Sequence, residues 1–574
     1  MIRKLFPFLN WFPMTKEGIR ADVMAGITVA LFLIPQSMAY AELAGLPAYY
    51  GLYASVIPVI IGALWGHVPQ LASGPVAISG ILTFSILSYH APGDATKYIQ
   101  LAILLAIVVG VVRIVIGALK LSSIINLISH PVIIGFTNGC ALIICMSQIN
   151  KIFGLEKASN QGVFAFVTDF TTMLKGLGSM TAINYYSIAL GIGTMLMIWF
   201  IKKKFPKFPS MLTAVVVTTF LSWKFGFVDM GGKVVGDIPA GLKLTTPQWN
   251  WEGSENISMF AMAIKLLPDA IVLCFIGFME MVAISKAVSL QTKQPLNLDQ
   301  ELIGQGVSSI GGGFSNAYPT SVSFSRSAMN LMLGAKTGLC NIVAALVVVI
   351  VLFFFTHLLF HLPKATLAAG IIMAVYPLIK FRPISLALKA SKADGLAAII
   401  TFAATILYAP KITNGVFIGA GIAIILHLYR TMKPEVQILD TYDELTGDTS
   451  AKVALSSEVI AMRFSGSIYF ASVSYFETML LKAINKKPDA QYIILDSRGI
   501  NRIDASGEWG LRQLLERLDE NNFQLVFAGL QDEPFSVLER TGLVEDIGRE
   551  HFYKDVDKAI DSIHSSINES AFMI

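Results

Sequence analysis

Two stretches of the chain combine Gly and Pro with polar or charged side chains inside apolar surroundings. The first, QLASGPVAISG, has a Gly-Pro pair just before Val76 and Ala77, and the second, GGGFSNAYPTSVSFSRSAMN, leads into Ser325 and Arg326. Each break is followed by a short helix-forming segment, a pattern typical of a helix that begins inside the membrane. The N-terminus of such a helix offers unpaired N–H groups and about half a positive charge, so it attracts anions.

The two helix starts are predicted to face each other and to bind one anion between them. Val76 and Ala77 would supply backbone donors from one side, and Ser325 with Arg326 would supply donors and charge from the other. A charged side chain at bilayer depth is costly and indicates function. Two alternatives for Arg326 stay open, namely that it reaches a lipid headgroup or that it pairs with an acid such as Glu280. The serines around Arg326 could also serve only close helix packing.

A second charged group, Glu280, interrupts the apolar run IVLCFIGFMEMVAIS. A carboxylate there is costly unless it is paired or protonated. Glu280 is therefore a candidate to bind a proton or a cation together with the anion, and a structural role in helix packing is the alternative. Gln36 precedes the first break much as Glu280 precedes the second, which indicates an internal repeat. Arg113 lies within two turns of Lys120 and is expected to reach the membrane interface.

The composition places these residues in a membrane protein. The 574 residues are 54% hydrophobic and 14% charged, whereas about a quarter of a soluble protein is charged. The net charge of +4 is too small to indicate a nucleic-acid partner. The four cysteines have no metal-binding spacing, and we find no nucleophilic triad, zinc motif or phosphate loop. The sequence therefore predicts neither an enzyme nor a bound cofactor.

Apolar runs dominate up to about residue 428 and give about fourteen segments, after which charge becomes frequent. The predicted organisation is a cytoplasmic N-terminal segment (1–20), a membrane domain (21–429), a linker (430–455) and a soluble domain (456–574). Pro35 is expected to break the first segment. Because Lys and Arg cluster in loops that an even number of segments places on one side, both termini are predicted to be cytoplasmic, in a bacterial inner membrane.

Four motifs resemble the sulfate permease (SulP) family of anion transporters, namely IPQSMAYAELAGLPAYYGLYAS, SGPVAIS, SHPVIIGFTNGCALII and ELIGQGVSSIGGGFSNAYPTSVSFSRSAMN. The resemblance implies a polytopic α-helical protein of fourteen segments in two inverted seven-helix repeats, which form a core and a gate. It also implies a substrate site between segments three and ten. On this basis Gln36 and Tyr40 become site-lining residues, and Ser325 with Arg326 matches an anion-contacting pair.

The chain departs from one branch of that family. A sodium-coupled bicarbonate branch carries an aspartate with a hydroxyl residue four positions later in segment eight. Here the acid is Glu280 and the residue four positions later is Ile284, although Ser285 is adjacent. The departure favours a proton as the coupling ion and leaves sodium open.

The C-terminal part resembles a STAS domain, an α/β fold shared with anti-sigma factor antagonists. VIAMRFSGSIYFASVSYFETMLLKAI is predicted as two strands and a helix, and the following residues alternate strand, helix and strand. The motif Asp504-Ala505-Ser506-Gly507 matches the position of a phosphorylated serine in soluble relatives. Capping of the following helix is the preferred explanation for these residues. The domain is expected to stabilise a homodimer or to bind a regulatory protein.

The predicted function is secondary active transport of a small inorganic or carboxylate anion, of the sulfate, bicarbonate or dicarboxylate class. Transport is expected to be proton-coupled and to use an elevator-like or rocking movement of the core in the lipid bilayer. The alternatives are sodium-coupled bicarbonate uptake, an anion exchanger or channel, and an anion-sensing receptor with STAS output. A nucleobase transporter is disfavoured because such a substrate gives no reason for Arg326.

Overall fold

The computed structural model describes residues 6–91, 94–122, 129–155, 171, 183–205, 208–239, 241–242, 258–409, 411–446 and 454–572. The chain forms two compact units, Met1–Ala423 and Ile424–Ile574. The first is helical and apolar, and the second is built around a sheet.

The helices up to residue 431 are labelled in chain order, and the last of them continues past the end of the first unit. They are α1 Lys16–Leu43, α2 Tyr49–Tyr53, α3 Ile57–Trp65, α4 Ala77–His90, α5 Ala95–Ala118, α6 His130–Phe153, α7 Tyr185–Lys204, α8 Ser210–Lys224, α9 Met259–Thr292, α10 Leu298–Phe314, α11 Phe324–Met332, α12 Leu339–Phe354, α13 Lys364–Val375, α14 Arg382–Ala390, α15 Lys392–Leu407 and α16 Thr413–Thr431. Two short strands, β1 Ser73–Gly74 and β2 Ser321–Val322, precede α4 and α11.

The predicted number of membrane segments is confirmed in the described part of the chain. Seven helical segments are long and apolar enough to cross a membrane, and four shorter apolar ones accompany them. The total is fourteen segments when α10, α11 and α15 are added and when the pairs α2–α3 and α13–α14 each count as one segment. The expected break at Pro35 is wrong, because α1 runs through this residue without interruption. Pro35 is buried, which is the environment where a helix in the membrane tolerates a proline.

Helix packing divides the unit into two groups. Helices α1–α5 and α9–α12 pack chiefly on one another and form the core group, whereas α6–α8 and α13–α15 form the gate group. Helix α16 joins the gate group, since Gly415 and Gly419 lie directly against Thr405 and Thr401 of α15. The interrupted helices α4 and α11 are the third segments of the two halves, as two inverted seven-helix repeats require.

The second unit contains a five-stranded sheet in the order β3-β4-β5-β6-β7. Its elements are β3 Glu435–Leu439, α17 Tyr442–Thr446, β4 Val459–Ile468, α18 Phe470–Lys486, β5 Tyr492–Ile503, α19 Ala505–Glu520, β6 Gln524–Ala528, α20 Asp532–Arg540, α21 Leu543–Ile547, β7 Phe552–Tyr553 and α22 Val556–Phe572. Strand β3 is antiparallel to β4, and the other pairings are parallel. Helices cover both faces of this sheet, with a separate apolar cluster on each face.

Three details of this unit differ from or refine the predictions. The predicted linker 430–455 contributes strand β3 to the sheet. The stretch predicted as two strands is a single strand, β4, with register irregularities on either side of Ser465 and Gly466. Asp504 caps α19 by accepting a hydrogen bond from Gly507 N at 2.7 Å, in agreement with the capping interpretation, and Ser506 is exposed.

Candidate functional site

Strands β1 and β2 join the two interrupted helices of the core group. They pair antiparallel, with Ser73 opposite Val322 and Gly74 opposite Ser321. Ser323 N adds a bond to Ala72 O at 2.9 Å. Because the strands are antiparallel and each leads directly into its helix, α4 and α11 begin close together and run in opposite directions. The sequence stretches with Gly and Pro therefore bring two helix N-termini to one place, as predicted.

Side chains strengthen this crossing. Ala72 N donates a hydrogen bond to Ser327 Oγ at 2.9 Å, and Ser79 Oγ donates one to Pro319 O. Both contacts link the first half of the chain to the second. Some serines in these stretches therefore have a structural role. For Ser327, the hydrogen bond from Ala72 N supports the packing role that the sequence left open.

The two helix starts differ in how their backbone donors are covered. Val76 is the N-cap residue of α4, has extended backbone and is buried with Ala77, and no side chain caps this helix. At α11 the cap is Ser323, whose Oγ accepts a bond from Arg326 N at 3.4 Å. Ser325 is exposed, with its Oγ 3.3 Å from Ser323 Oγ. The start of α4 thus has backbone donors to offer, and the start of α11 adds hydroxyl groups.

Arg326 lies between these helix starts and is only 1% exposed. Its Nη1 donates to Pro75 O at 2.9 Å, while Nε and Nη2 have no hydrogen-bond partner among the described residues. Because Arg326 is buried, its side chain does not reach a lipid headgroup. Arg326 and Glu280 are both described residues, and no ion pair joins them. Gly74 allows the approach, because a Cβ there would lie 3.3 Å from Nη2 and its φ is +136°.

The other predicted site residues come from α1 and α9, which both pack on α4 and α11. Tyr40 is buried and lies within electrostatic range of Arg326 and Glu280. Gln36 stands one turn earlier on the same face, and its buried Oε1 has no partner in the described chain. Glu280 is half-buried, and no hydrogen bond or ion pair to a described residue is formed by its carboxyl group.

Tyr318 belongs to this group and was missed from the sequence. It is 1% exposed, lies within electrostatic range of Arg326 and Tyr40, and its hydroxyl finds no partner in the described chain. The residue sits in the loop between α10 and β2, three residues before Ser321. An aromatic side chain with a polar tip inside a Gly/Pro-rich break was the available signal.

The expectation for Arg113 is wrong. Its side chain is 2% exposed and does not reach an interface. Nη1 donates to Ser309 Oγ at 2.8 Å and to Thr320 O at 2.9 Å, immediately before β2. A Cβ on Gly277 of α9 would lie 3.0 Å from Arg113 Nη2 and 3.1 Å from Ser321 Oγ. Arg113 therefore ties α5, α10 and the strand that leads to α11, one turn from Glu280.

The hydroxyl group of Ser285, which left sodium open as a coupling ion, forms its contact with a residue other than Glu280. Ser285 Oγ points back to Met281 Sδ at 3.4 Å and makes no bond with Glu280. Over the described ranges, no group of three or more His, Cys, Asp or Glu side chains could hold a metal ion.

The described chain has fourteen membrane segments in inverted repeats, and two half-helices meet at a buried arginine. These features define a polytopic membrane transport protein. The sulfate permease family model matches residues 19–401, and the STAS domain model matches residues 450–559. The chain belongs to the sulfate permease family and carries a C-terminal STAS domain.

Similar proteins agree with this assignment. "Probable sulfate transporter 4.2" of Arabidopsis thaliana is 31% identical over 97% of this chain and 83% of its own length. A protein named as a probable sulfate transporter in Mycobacterium tuberculosis is 28% identical over 95% of both chains. The structure of the murine Solute Carrier 26 family member A9 anion transporter in its inward-facing state superposes with a TM-score of 0.88, at 22% identity, over 98% of this chain and 94% of that one. The last match shows the shared fold.

Proposed function

We propose that the chain is a secondary active transporter of a small oxyanion, with sulfate as the first substrate to test, and that proton movement drives it. The names of the similar Arabidopsis and Mycobacterium proteins support sulfate. Bicarbonate and dicarboxylates such as fumarate belong to the same chemical class, because backbone donors and one guanidinium group suit any of these anions.

One observation carries this proposal, namely the unused donors of Arg326. Burying a guanidinium group costs several kcal/mol unless its N–H groups are bonded, yet Nε and Nη2 have no partner in the described chain. An anion in front of the uncapped start of α4 would accept both donors and the backbone N–H groups of Val76 and Ala77. Tyr40, Gln36 and Ser325 surround that position and can orient the anion by hydrogen bonds.

Glu280 is proposed to carry the coupling proton. Its carboxyl group has no basic partner among the described residues and lies within electrostatic range of Tyr40. An anion bound at Arg326 would disfavour a second negative charge nearby, so substrate and proton would bind together. The contact of Ser285 Oγ with Met281 Sδ, and not with Glu280, favours a proton over sodium as the coupling ion.

Movement of the core group against the gate group is proposed to carry the anion. At the end where α1, α4 and α6 finish, Lys151 Nζ of the gate bonds Glu42 Oε2 of the core at 2.7 Å. At the same end, Thr413 Oγ1 donates to Asp269 Oδ1 at 3.2 Å and Ile412 N donates to Ser85 Oγ at 3.1 Å. These contacts would seal that end of the boundary. With the N-terminus in the cytoplasm, the sealed end is the outer one.

The remaining features of the proposal are a bacterial inner-membrane location, cytoplasmic termini and a homodimer in which the STAS domain binds a regulatory protein. The chain would act as a carrier and not as an enzyme.

Purified protein in liposomes tests this function. Sulfate, bicarbonate, chloride and fumarate are offered separately, with an imposed pH gradient, a sodium gradient or neither. Saturable, uphill sulfate uptake that follows the pH gradient is the expected result. Bicarbonate uptake that requires sodium supports sodium coupling, and uptake that never runs uphill identifies an exchanger or channel. Binding without flux would identify a receptor.

A further inference from the structure

A large apolar cavity lies on the boundary between the core and gate groups, apart from the anion site. It has a volume of about 670 Å³, within the range of about 300–1,000 Å³ for small-molecule sites. Its walls are α1 and the end of α12 on the core side, α8 on the gate side and the segment after α12. The described lining includes Pro35 and Met38 of α1, Thr219 and Trp223 of α8, and His357 and His361 after α12.

The lining excludes the transported anion as occupant. Aliphatic and aromatic side chains make up most of the wall, and the described residues that line it include no lysine or arginine. Among the described lining residues, only Thr219, Trp223, His357 and His361 carry a polar side-chain group. A small anion would lose most of its hydration there for few donors and no fixed positive charge from the described lining. An apolar chain would gain burial at about 25 cal/mol per Å².

The opening of the cavity identifies the source of such a chain. Five of the side chains that line the cavity are between 46% and 62% exposed, namely Val216, Phe220, Trp223, Phe355 and Leu358. In a membrane-spanning unit these exposed side chains face the lipid bilayer. Lipid acyl chains are therefore present at the mouth of the cavity at very high concentration.

The long axis of the cavity fits one leaflet. From Leu212 to Trp223, α8 rises about 16 Å at 1.5 Å per residue, close to half of the roughly 30 Å hydrocarbon core. Tryptophan is typical of the headgroup level, and His357 and His361 follow α12 on the chain. A lipid would thus place its headgroup near these residues and its acyl chain along α1 and α8.

We propose that the cavity binds the acyl chain of a membrane phospholipid, which acts as a wedge between the core and gate groups. Pro35 and Met38 line the cavity, and Gln36 of the anion site lies between them in the chain. A chain lodged there contacts the helix that carries Gln36 and Tyr40. Its occupancy therefore sets the rate at which the core moves against α8, and this second half of the inference rests on the proposed transport function.

Photolabelling tests the binding half. The full chain is placed in vesicles of phosphatidylethanolamine and phosphatidylglycerol that contain a phosphatidylglycerol with a diazirine in one acyl chain. We expect crosslinks on the cavity-facing residues of α1 and α8. Thr219→Phe should lower this labelling at least fivefold, and Thr213→Phe on the same helix, outside the cavity, should leave it unchanged. Leu358→Trp and its control Leu346→Trp, two exposed leucines, repeat the test if Thr219→Phe fails to fold.

Sulfate exchange in the same vesicles tests the wedge. The Thr219→Phe variant, whose larger side chain fills the cavity, should change the exchange rate at least twofold. The sulfate Kd should stay constant, because the anion site is intact. Labelling spread evenly over lipid-facing helices, or equal in filled and control variants, would overturn the binding site. Specific labelling with identical exchange rates would overturn the wedge. Protein that exchanges no anion in any assay defeats the proposed function and leaves the labelling result to decide the lipid site.

Discussion

Arg326 Nη1 donates a hydrogen bond to Pro75 O at 2.9 Å, across 251 residues of chain. Pro75 directly precedes Val76, the N-cap of α4, so the arginine of one half-helix holds the start of the other. The bond uses one of the five N–H donors of the guanidinium group and fixes its plane. The remaining donors are therefore held in place before an anion arrives, which lowers the cost of binding it.

Arg326→Gln is predicted to weaken anion binding on the order of 10- to 100-fold. The estimate follows from about 1.5–3 kcal/mol for a hydrogen bond to a charged group. Calorimetric titration of sulfate into purified protein measures the change. Arg382→Gln, at an exposed arginine of α14, serves as the matched control and should keep the wild-type affinity. Equal affinities in the two variants would remove Arg326 from the site.

Glu280→Gln is predicted to abolish proton-driven accumulation and to preserve sulfate exchange at equal pH, because the amide cannot carry a proton between the two sides. A pH jump applied to loaded liposomes separates the two activities. Glu301→Gln is a useful contrast. The Glu301 carboxylate accepts backbone N–H groups of His67 at 2.7 Å and Val68 at 3.1 Å, so its loss should lower thermal stability and leave coupling intact. Accumulation that persists in Glu280→Gln rules out this group as the coupling site.

Arg113→Lys is predicted to lower stability by about 1–3 kcal/mol, because a single ammonium group cannot replace the bonds to Ser309 and Thr320 in the same geometry. Sulfate Kd should also rise, since Thr320 leads into the strand that places α11. Thermal unfolding and calorimetry on the same sample provide both readouts. A variant that loses stability at unchanged Kd would mean that Arg113 supports the fold without positioning the site.

The number of membrane segments could be predicted from hydrophobicity, and the two half-helix starts from their Gly and Pro residues. The two inverted seven-helix repeats with core and gate followed from the resemblance to the sulfate permease family. Two errors have one physical origin. The predictions for Pro35 and Arg113 rest on their immediate neighbours in the sequence, whereas the folded chain buries both side chains. Tyr318 was missed for the same reason, because only the fold brings its hydroxyl near Arg326. The unused donors of Arg326 are likewise a property of the assembled site, since sequence cannot show which partners a side chain lacks.

The acid stability of the STAS domain should depend on Asp496, which is buried and bonded by Arg463 and Arg498 at 2.6 and 2.9 Å. Burial alone would raise the pKa of Asp496, but hydrogen bonds from Arg498 and Arg463 outweigh burial and hold the pKa below its ordinary value. A carboxyl group with a depressed pKa stabilises the fold above its unfolded pKa of about 3.9, and this stabilisation is lost as the pH falls through the folded pKa.

Asp496→Asn should therefore speed hydrogen exchange in strands β4 and β5 of the full chain at pH 7, after correction for intrinsic exchange rates. The difference from wild type should shrink at pH values below about 4, where Asp496 protonates in the unfolded chain before it does in the folded one. Asp489→Asn, at an exposed aspartate, is the control and should match wild type throughout. A difference that stays constant with pH would assign the effect to lost packing and not to the charge.

The ion pair between Lys151 and Glu42 is predicted to hold the core against the gate at one end of the membrane unit. Glu42→Lys and Lys151→Glu should each destabilise the sealed state, since each places two like charges at a contact that is now 2.7 Å long. The doubly exchanged protein should regain much of the loss. A double-mutant cycle on thermal stability and on sulfate exchange rate measures the coupling, expected at about 0.5–3 kcal/mol for groups in contact. If the effects of the two substitutions are strictly additive, the ion pair does not close this boundary. If the substitutions are coupled both in the exchange rate and in thermal stability, the pair is part of the contact that moves during transport.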